Sequence, residues 1–122
     1  MQKALVAHGA SVMCRAIQHG LGTLHFESEG VADANAMLVV LGKIKPALLV
    51  IDVDLPPFGA AQAIRSARGF DNGNAKIVAI QNSLDFELAK YLRGAGAHEV
   101  ITGGYDAHKL ETKLRVLKLV PS

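Results

Sequence analysis

Short apolar runs and longer stretches with helical spacing alternate along the chain. The runs are rich in Val, Ile and Leu and predict strands. They lie at Ala4–Ala7, Thr23–Phe26, Ala47–Ile51, Ile77–Ile80 and Glu99–Ile101. Two of them, Ala47–Ile51 and Ile77–Ile80, are apolar at nearly every position. This pattern is typical of strands that are buried on both faces of a parallel sheet.

Between the runs, apolar residues recur three or four positions apart, which predicts a helix after each strand. The predicted apolar faces consist of Val12, Ala16 and Ile17; Val31, Ala34, Leu38 and Leu41; Ala60, Ala63, Ile64 and Ala67; Leu84, Leu88, Tyr91, Leu92 and Ala95; and Leu110, Leu114 and Leu117. Gly20 and Gly22 predict the end of the first helix, and residues 71–74 (Asp-Asn-Gly-Asn) predict a turn. Ser83 and Asp106 are the candidate N-caps of the fourth and fifth helices, because short polar side chains bond the free amides of a first turn.

The order of the elements, a strand followed by a helix five times over, indicates an α/β protein. Strands that alternate with helices are joined by right-handed crossovers, which gives a parallel sheet with helices on both faces. The 122 residues are the length of one domain, so we expect a single domain over residues 1–122.

Composition narrows the classes of function. The 13 basic and 11 acidic residues leave a formal net charge of +2, which is too small to indicate a nucleic-acid partner. No apolar run reaches the roughly 18 residues of a membrane span, and the first residues lack the profile of a signal peptide. The one cysteine, Cys14, excludes a disulfide framework and is predicted to be a buried, inert thiol. We therefore expect a protein of the cytoplasm with no nucleic-acid or membrane partner.

In parallel sheets of this kind, ligands bind beyond the carboxyl ends of the strands. The residues that directly follow the predicted strands are therefore the candidate site. They are His8 and Gly9 after the first strand, Asp52 and Asp54 after the third, Gln81 and Asn82 after the fourth, and Thr102, Gly103 and Gly104 after the fifth. We expect His8 to lie near enough to Asp52 to form an ion pair with it. We expect Asp54 to point away from the pocket.

Two segments resemble the receiver domains of bacterial response regulators. In Pro46–Pro56 an apolar strand ends at Asp52, and a proline follows four residues later; in that family this aspartate accepts a phosphoryl group. Gly94–Thr102 is similar to the family's approach to its fifth strand. The resemblance covers nearly the whole chain in length and in element order. It implies one flavodoxin-like, doubly wound domain, with a five-stranded parallel sheet of order 2-1-3-4-5 flanked by five helices, and Asp52 at the phosphoacceptor position.

The sequence departs from that family around the phosphoacceptor. The resemblance implies an acidic pair that holds Mg²⁺ after the first strand, where this chain has His8 and Gly9. It implies a threonine or serine at Gln81, a lysine at Gly103 and an aromatic residue at Val100. Because Mg²⁺ prefers oxygen ligands, we expect weak or absent Mg²⁺ binding, no cofactor and no enzymatic activity. The chain therefore resembles a degenerate receiver, or pseudo-receiver.

Three functions stay open from the sequence. The favoured one is signal transduction by protein–protein contact, independent of phosphorylation, with a histidine kinase, an output domain or a second copy of the chain as the partner. Apolar surplus on helices four and five predicts the interface at Phe86, Lys90 and Val116. The first alternative is a working phosphoacceptor of a two-component phosphorelay that uses Asp52. The second is a small-ligand or metal-binding domain at the His8–Asp52 pocket, since imidazole suits transition metals.

Overall fold

The computed structural model describes residues 1–70 and 74–121, with the backbone alone at residue 70, and strands alternate with helices throughout. The strands are β1 (Gln2–Ala7), β2 (Phe26–Val31), β3 (Leu48–Asp52), β4 (Lys76–Ile80) and β5 (Glu99–Ile101). The helices are α1 (Ser11–Thr23), α2 (Ala34–Ile44), α3 (Ala60–Phe70), α4 (Phe86–Ala95) and α5 (Ala107–Val116). Of the turn predicted at residues 71–74, the first three residues lie outside the described part of the chain.

The five strands form one parallel sheet in the order β2-β1-β3-β4-β5. This confirms the α/β class and the strand order that the resemblance implied. In the register, Ala7 is opposite Ile51, and Asp52 is opposite Ile80. The residues that follow β1, β3 and β4 therefore meet at one edge of the sheet.

An apolar core lies on each face of the sheet. On one face, Ile17 of α1 and Leu114 of α5 pack with Val50 of β3. On the other face, Ile64 of α3 packs with Ile51, in a core that α2 and α4 complete. Because neighbouring residues of a strand point to opposite faces, the register also determines which face a side chain takes where a strand ends.

The second strand lies later in the chain than its apolar run predicted. Thr23 belongs to α1, and β2 ends at Val31, which we predicted to lie in the second helix. β2 is an edge strand in which Phe26 is the one fully buried residue. An edge strand that buries so little does not need a continuous apolar run, so its sequence carries a weak signal.

The first helix continues through the two glycines that were predicted to end it. α1 runs to Thr23, so Gly20 and Gly22 both lie within it. A Cβ atom at Gly20 would collide with the hydroxyl of Tyr105, in the loop before α5, whereas a Cβ atom at Gly22 would meet nothing within 4 Å. Gly20 therefore allows a close approach between α1 and this loop, which is a packing role rather than a stop signal.

The capping and burial predictions were partly confirmed. Asp106 caps α5 through two amides of its first turn, as predicted. The prediction for Ser83 was wrong, because Asp85 caps α4. Four residues predicted on buried helix faces are exposed instead: Val12, Ala16, Leu84 and Tyr91. Helical spacing alone does not separate the border of an apolar stripe from its centre.

Within the described residues, none of the helices combines the length and the apolar composition that crossing a bilayer requires.

Candidate functional site

Asp52 is the last residue of β3 and is 7% exposed. Its two carboxylate oxygens have different partners. Oδ1 lies 3.5 Å from Nε2 of His8, the residue that follows β1. Oδ2 accepts a hydrogen bond of 3.3 Å from the backbone amide of Asp54. The structure therefore places His8 beside Asp52, at the edge where β1 and β3 end.

A second hydrogen bond of His8 indicates where its proton lies. Its Nδ1 accepts from the backbone amide of Ala10, at 3.0 Å. A ring nitrogen that accepts carries no proton, so the proton of the neutral ring is assigned to Nε2, which faces Asp52. The contact is thus an N–H group aimed at a carboxylate. The full ion pair expected from the sequence requires the bond to Ala10 to break.

Burial raises the pKa of the Asp52 carboxyl above its usual value, because desolvation penalises the charged form. The nearby His8 and the Asp54 amide act in the opposite direction, and the negative charge of Asp54 adds to the rise. Asp52 therefore holds its proton more tightly than an exposed aspartate does. Phosphoryl transfer ordinarily uses concentrated positive charge to neutralise the incoming group, and in the described part of the chain the positive group that lowers the pKa of Asp52 is His8.

Gln81 does not join this pair. Its side chain is fully buried, and Nε2 donates to the carbonyl and hydroxyl oxygens of Ser83 and to the carbonyl of Asp85. These acceptors lie in the loop between β4 and α4. Strand alternation explains the direction: Ile80, opposite Asp52 in the register, points to the α1–α5 face, so the next residue points to the other face. Asp52 and Gln81 thus belong to opposite faces of the sheet.

Gly9 and Asp54 lie on either side of the His8–Asp52 pair. A Cβ atom at Gly9 would stand 3.1 Å from Cδ of Pro56, a contact that leaves little room for a larger residue. Asp54 is exposed, as expected for the second residue beyond a strand end. Neither position supplies a carboxylate at the place where the resemblance implies an acidic pair.

The loop between β5 and α5 turns through two glycines with positive φ angles, 76° at Gly103 and 94° at Gly104. A Cβ atom at Gly103 would lie 3.1 Å from Cδ2 of Leu84 and 3.4 Å from Nζ of Lys109. That amino group donates a 3.0 Å hydrogen bond to the carbonyl of Thr102. The position where the resemblance implies a lysine therefore combines crowding with a backbone conformation that disfavours any side chain.

Helices α4 and α5 are connected across β5 by one carboxylate. Glu99, the first residue of β5, lies 3.4 Å from the guanidinium of Arg93 on α4 and 3.1 Å from Nζ of Lys113 on α5. Residues three, four and seven positions apart lie along one side of a helix. Phe86, Lys90 and Arg93 therefore share the side of α4 that faces α5, and Lys109, Lys113 and Val116 share the side of α5 that faces α4.

The three predicted interface residues thus lie on a common surface. Phe86 is 74% exposed, Val116 is 61% exposed, and Lys90 is also exposed. We call this the α4–α5 surface and define it by Leu84, Phe86, Lys90, Lys109, Lys113 and Val116. A cavity of about 320 Å³ opens in it, with Val100 and Ile101 of β5 among its lining residues.

The predicted interface did not include four residues of this region: Leu84, Glu99, Lys109 and Lys113. The apolar spacing of α4 concealed the exposure of Leu84. The i, i+4 spacing of Lys109 and Lys113 was a visible signal for a basic ridge. The position of Glu99 between the two helices depends on the strand order and had no local signal.

A larger cavity, of about 400 Å³, lies between α1 and β2 beside His8. Ser11 and Arg15 line it together with Cys14. Burial raises the pKa of the Cys14 thiol, which keeps it protonated and fits the predicted inert role. Among the residues that the structure describes, no group of three His, Cys, Asp or Glu side chains could hold a metal ion.

Solved structures with this architecture are receiver domains of signalling proteins. The chemotaxis response regulator CheY4 of Vibrio cholerae gives a TM-score of 0.87 at 18% identity, over 96% of this chain and 98% of that chain. A response regulator receiver domain from Francisella gives 0.86 at 16% identity, over 96% of both chains. The chain has the receiver fold.

A third receiver structure includes its metal. The receiver domain of a sensor histidine kinase from Pseudomonas aeruginosa, with magnesium coordinated in its active-site cleft, gives a TM-score of 0.82 at 20% identity. The match covers 94% of this chain and 95% of that chain. No protein-family model and no curated protein sequence matches the chain.

The residues at the corresponding edge of this receiver fold do not fit magnesium. Mg²⁺ demands octahedral coordination by oxygen, and Asp52 is the one carboxylate that ends a strand at this edge in the described residues. Its Oδ1 faces a ring nitrogen of His8, and Gly9 has no side chain to offer. We therefore derive no chemical step through a magnesium ion.

Proposed function

We propose that this receiver-fold domain transmits a signal by protein–protein contact through the α4–α5 surface, independently of phosphorylation at Asp52. The proposal includes the absence of a metal, a cofactor and an enzymatic reaction, and it assigns the domain to the cytoplasm. The observation that carries it is the contact between His8 and Asp52, in which an imidazole N–H takes the place of metal-bound oxygen ligands.

The Asp52 site supports independence from phosphorylation on chemical grounds. A phosphoryl group brings negative charge that metal ions and cationic side chains must neutralise as it is transferred. Here the nearest cationic group would be His8, and its Nδ1 already accepts from the Ala10 amide. Burial raises the pKa of Asp52 because the charged carboxylate loses its solvation, and the same desolvation disfavours further negative charge at this residue.

The α4–α5 surface supports protein binding through its mixture of apolar and basic groups. Phe86 and Val116 provide exposed apolar area, and Lys90 and Lys109 add positive charge at the rim. Glu99, the carboxylate between the helices, is already bonded to two cations. Complementary charge steers association, so we propose a histidine kinase or output domain that presents an apolar side chain ringed by acidic groups.

The test compares variants of the two regions with one partner. The partner is captured by crosslinking, produced in pure form and titrated by calorimetry against each variant. We expect Asp52→Ala to change the Kd less than twofold. Phe86→Glu and Val116→Glu should each weaken binding by about tenfold or more, which corresponds to roughly 1.4 kcal/mol.

Val39→Glu is the matched control, because Val39 is 57% exposed on α2, away from α4 and α5. It should bind like the wild type. Loss of binding in Asp52→Ala, with Phe86→Glu unaffected, would refute the proposal. Sedimentation of the chain alone determines whether the partner is a second copy.

The cavity beside His8 favours a second candidate function, the binding of a small ligand or metal. It lies within the size range of ligand sites, and Arg15 lines it with a permanent positive charge. Zinc ions and inorganic phosphate are suitable probes. Saturable shifts of the His8 and Arg15 resonances at micromolar concentrations would support this candidate over protein binding, and their absence would exclude it for these two ligands.

A further inference from the structure

The side chain of Gln81 connects two loops that carry the α4–α5 surface. Its Nε2 lies 2.9 Å from the carbonyl oxygen of Asp85 and 3.3 Å from both the carbonyl and the hydroxyl oxygen of Ser83. All three acceptors belong to the β4–α4 loop. The Gln81 side chain is fully buried, so moving the loop would leave its N–H groups without acceptors. These hydrogen bonds therefore restrain the path of the loop.

The loop after β5 is bonded to the same short segment. The amide of Gly103 donates to the carbonyl of Ser83, and the amide of Gly104 donates to the carbonyl of Gln81, each at 2.9 Å. The Ser83 carbonyl thus receives one bond from the β5–α5 loop and one from the Gln81 side chain. The two loops are therefore held together at one point.

The hydrogen bonds that join the two loops also determine where α4 begins. Asp85, whose carbonyl accepts from Gln81, is also the N-cap of α4. Its neighbours Leu84 and Phe86 are exposed residues of the α4–α5 surface. A displacement of the β4–α4 loop would therefore move the apolar groups that the proposed partner contacts.

We infer that Gln81 is a latch that holds the α4–α5 surface in one conformation whatever the charge on Asp52. We call the hydrogen bonds of Gln81, Ser83, Asp85, Gly103 and Gly104 the Gln81 latch. This inference rests on the proposed function, since it concerns the regulation of the same surface. Its physical basis is the difference in bonding partners: the Gln81 amide bonds Ser83 and Asp85 of the β4–α4 loop, whereas the Asp52 carboxylate contacts His8 and the Asp54 amide.

Within the described residues, the Gln81 side chain forms hydrogen bonds through its amide nitrogen alone. Its Oε1 atom is buried and has no hydrogen-bond partner among the described residues. Replacing Gln81 by methionine keeps most of the side-chain volume, removes this unpaired oxygen and eliminates the donor. Gln81→Met therefore opens the latch without creating a large cavity.

The experiment measures amide hydrogen exchange by NMR in the chain alone, so it needs no partner and is independent of the binding test. In Gln81→Met we expect the amides of Ala89, Gly103 and Gly104, which donate to the carbonyls of Asp85, Ser83 and Gln81, to exchange at least about tenfold faster than in the wild type. Amides of β1 and β3 should be unchanged. Asn82→Ala is the matched control, because Asn82 is exposed in the same loop.

A second variant covers the case in which Gln81→Met fails to fold. Ser83→Ala removes one acceptor of the latch at an exposed position, and a smaller acceleration of exchange is expected at the same amides. Asp52→Asn in the wild-type background should shift resonances near His8 and Asp54 and leave those of Leu84 and Phe86 in place. Loop exchange within twofold of the wild type in folded Gln81→Met, or a strong shift at Phe86 in Asp52→Asn, would overturn the inference.

Discussion

Asp52 lies where the ionised form of its carboxyl group is poorly stabilised. It is nearly buried, faces one imidazole N–H group and accepts one backbone amide. An acid whose pKa is raised on folding binds its proton more tightly in the native state than in the unfolded chain. Its favourable contribution to stability is therefore present below the unfolded pKa of 3.8 and is lost as the pH rises through the folded value. Ionised Asp52 thus lowers the free energy of unfolding near neutral pH.

Asp52→Asn is expected to stabilise the protein at pH 7, on the order of 1 kcal/mol, because it removes a charge that is costly to bury. The asparagine oxygen can still accept the Asp54 amide. Urea unfolding of the wild type and the variant, followed by circular dichroism from pH 4 to pH 8, measures the difference. We expect the two curves to converge toward the acid end of this range. A variant that is less stable than the wild type at pH 7 would show that the His8 contact outweighs desolvation.

The pairing of His8 with Asp52 was predictable from the sequence, because parallel strands bring their carboxyl ends to one edge. The direction in which the Gln81 side chain points was not predictable, because it depends on how β3 and β4 are paired in the folded sheet. The positions of β2 and Gly20 were missed for a related reason. Their roles depend on neighbours distant in the chain, the open sheet edge and Tyr105, rather than on local spacing.

At the scale of elements, α1 and the loop before α5 are packed unusually close. Gly20 faces the Tyr105 hydroxyl, which is buried and has no hydrogen-bond partner among the described residues. Burial raises the pKa of Tyr105, so the hydroxyl stays protonated and a donor without an acceptor. This contact limits what residue 20 can be, although helix propensity alone would favour alanine there.

Gly20→Ala and Gly22→Ala form a matched pair within one helix. Gly22→Ala should stabilise the protein by about 0.5–1 kcal/mol, because it meets no neighbour and restricts the unfolded chain. Gly20→Ala should instead destabilise it by about 1–3 kcal/mol through overpacking. Thermal and urea unfolding check both values. Adding Tyr105→Phe should recover most of the loss at Gly20, and a loss that persists in the double variant would contradict the steric explanation.

At the scale of the whole molecule, the chain has the receiver fold, and its strand order is the one that the resemblance implied. At the carboxyl ends of the strands lie the contact between His8 and Asp52 and two loops that are bonded to each other. The α/β class could be predicted from the apolar pattern because it needs only strands and helices in alternation, whereas the strand order was implied by the resemblance. The chemistry depends on a few individual side chains.

Incubation with a small-molecule phosphodonor and millimolar Mg²⁺ should leave the protein mostly unmodified. The reason is that, among the described residues, one imidazole faces the Asp52 carboxylate at the end of β3, and Gly9 has no side chain that could act as a metal ligand. Intact mass spectrometry measures the modified fraction, and Asp52→Asn is the control. Substantial base-labile phosphate that disappears in this control would favour the phosphorelay alternative.

Titration with Mg²⁺ alone tests the same site without a donor. The chemical-shift changes of the amides near Asp52 should not reach saturation at low millimolar Mg²⁺. One carboxylate and one imidazole do not make an octahedral oxygen site. Saturation centred on Asp52 would show that solvent or backbone oxygens complete a coordination shell. That result would remove the main support for a metal-independent role.

The close approach of Pro56 to Gly9 and the positive φ angle of Gly103 also bear on any attempt to engineer this site. A carboxylate side chain introduced at position 9 would meet Pro56, because a Cβ atom there would stand 3.1 Å from Cδ of that proline. A lysine introduced at position 103 would have to adopt a φ angle of 76°, which disfavours any side chain. Installing an acidic pair and a lysine therefore requires the backbone to shift at two separate places, so an exchange of side chains alone is not sufficient.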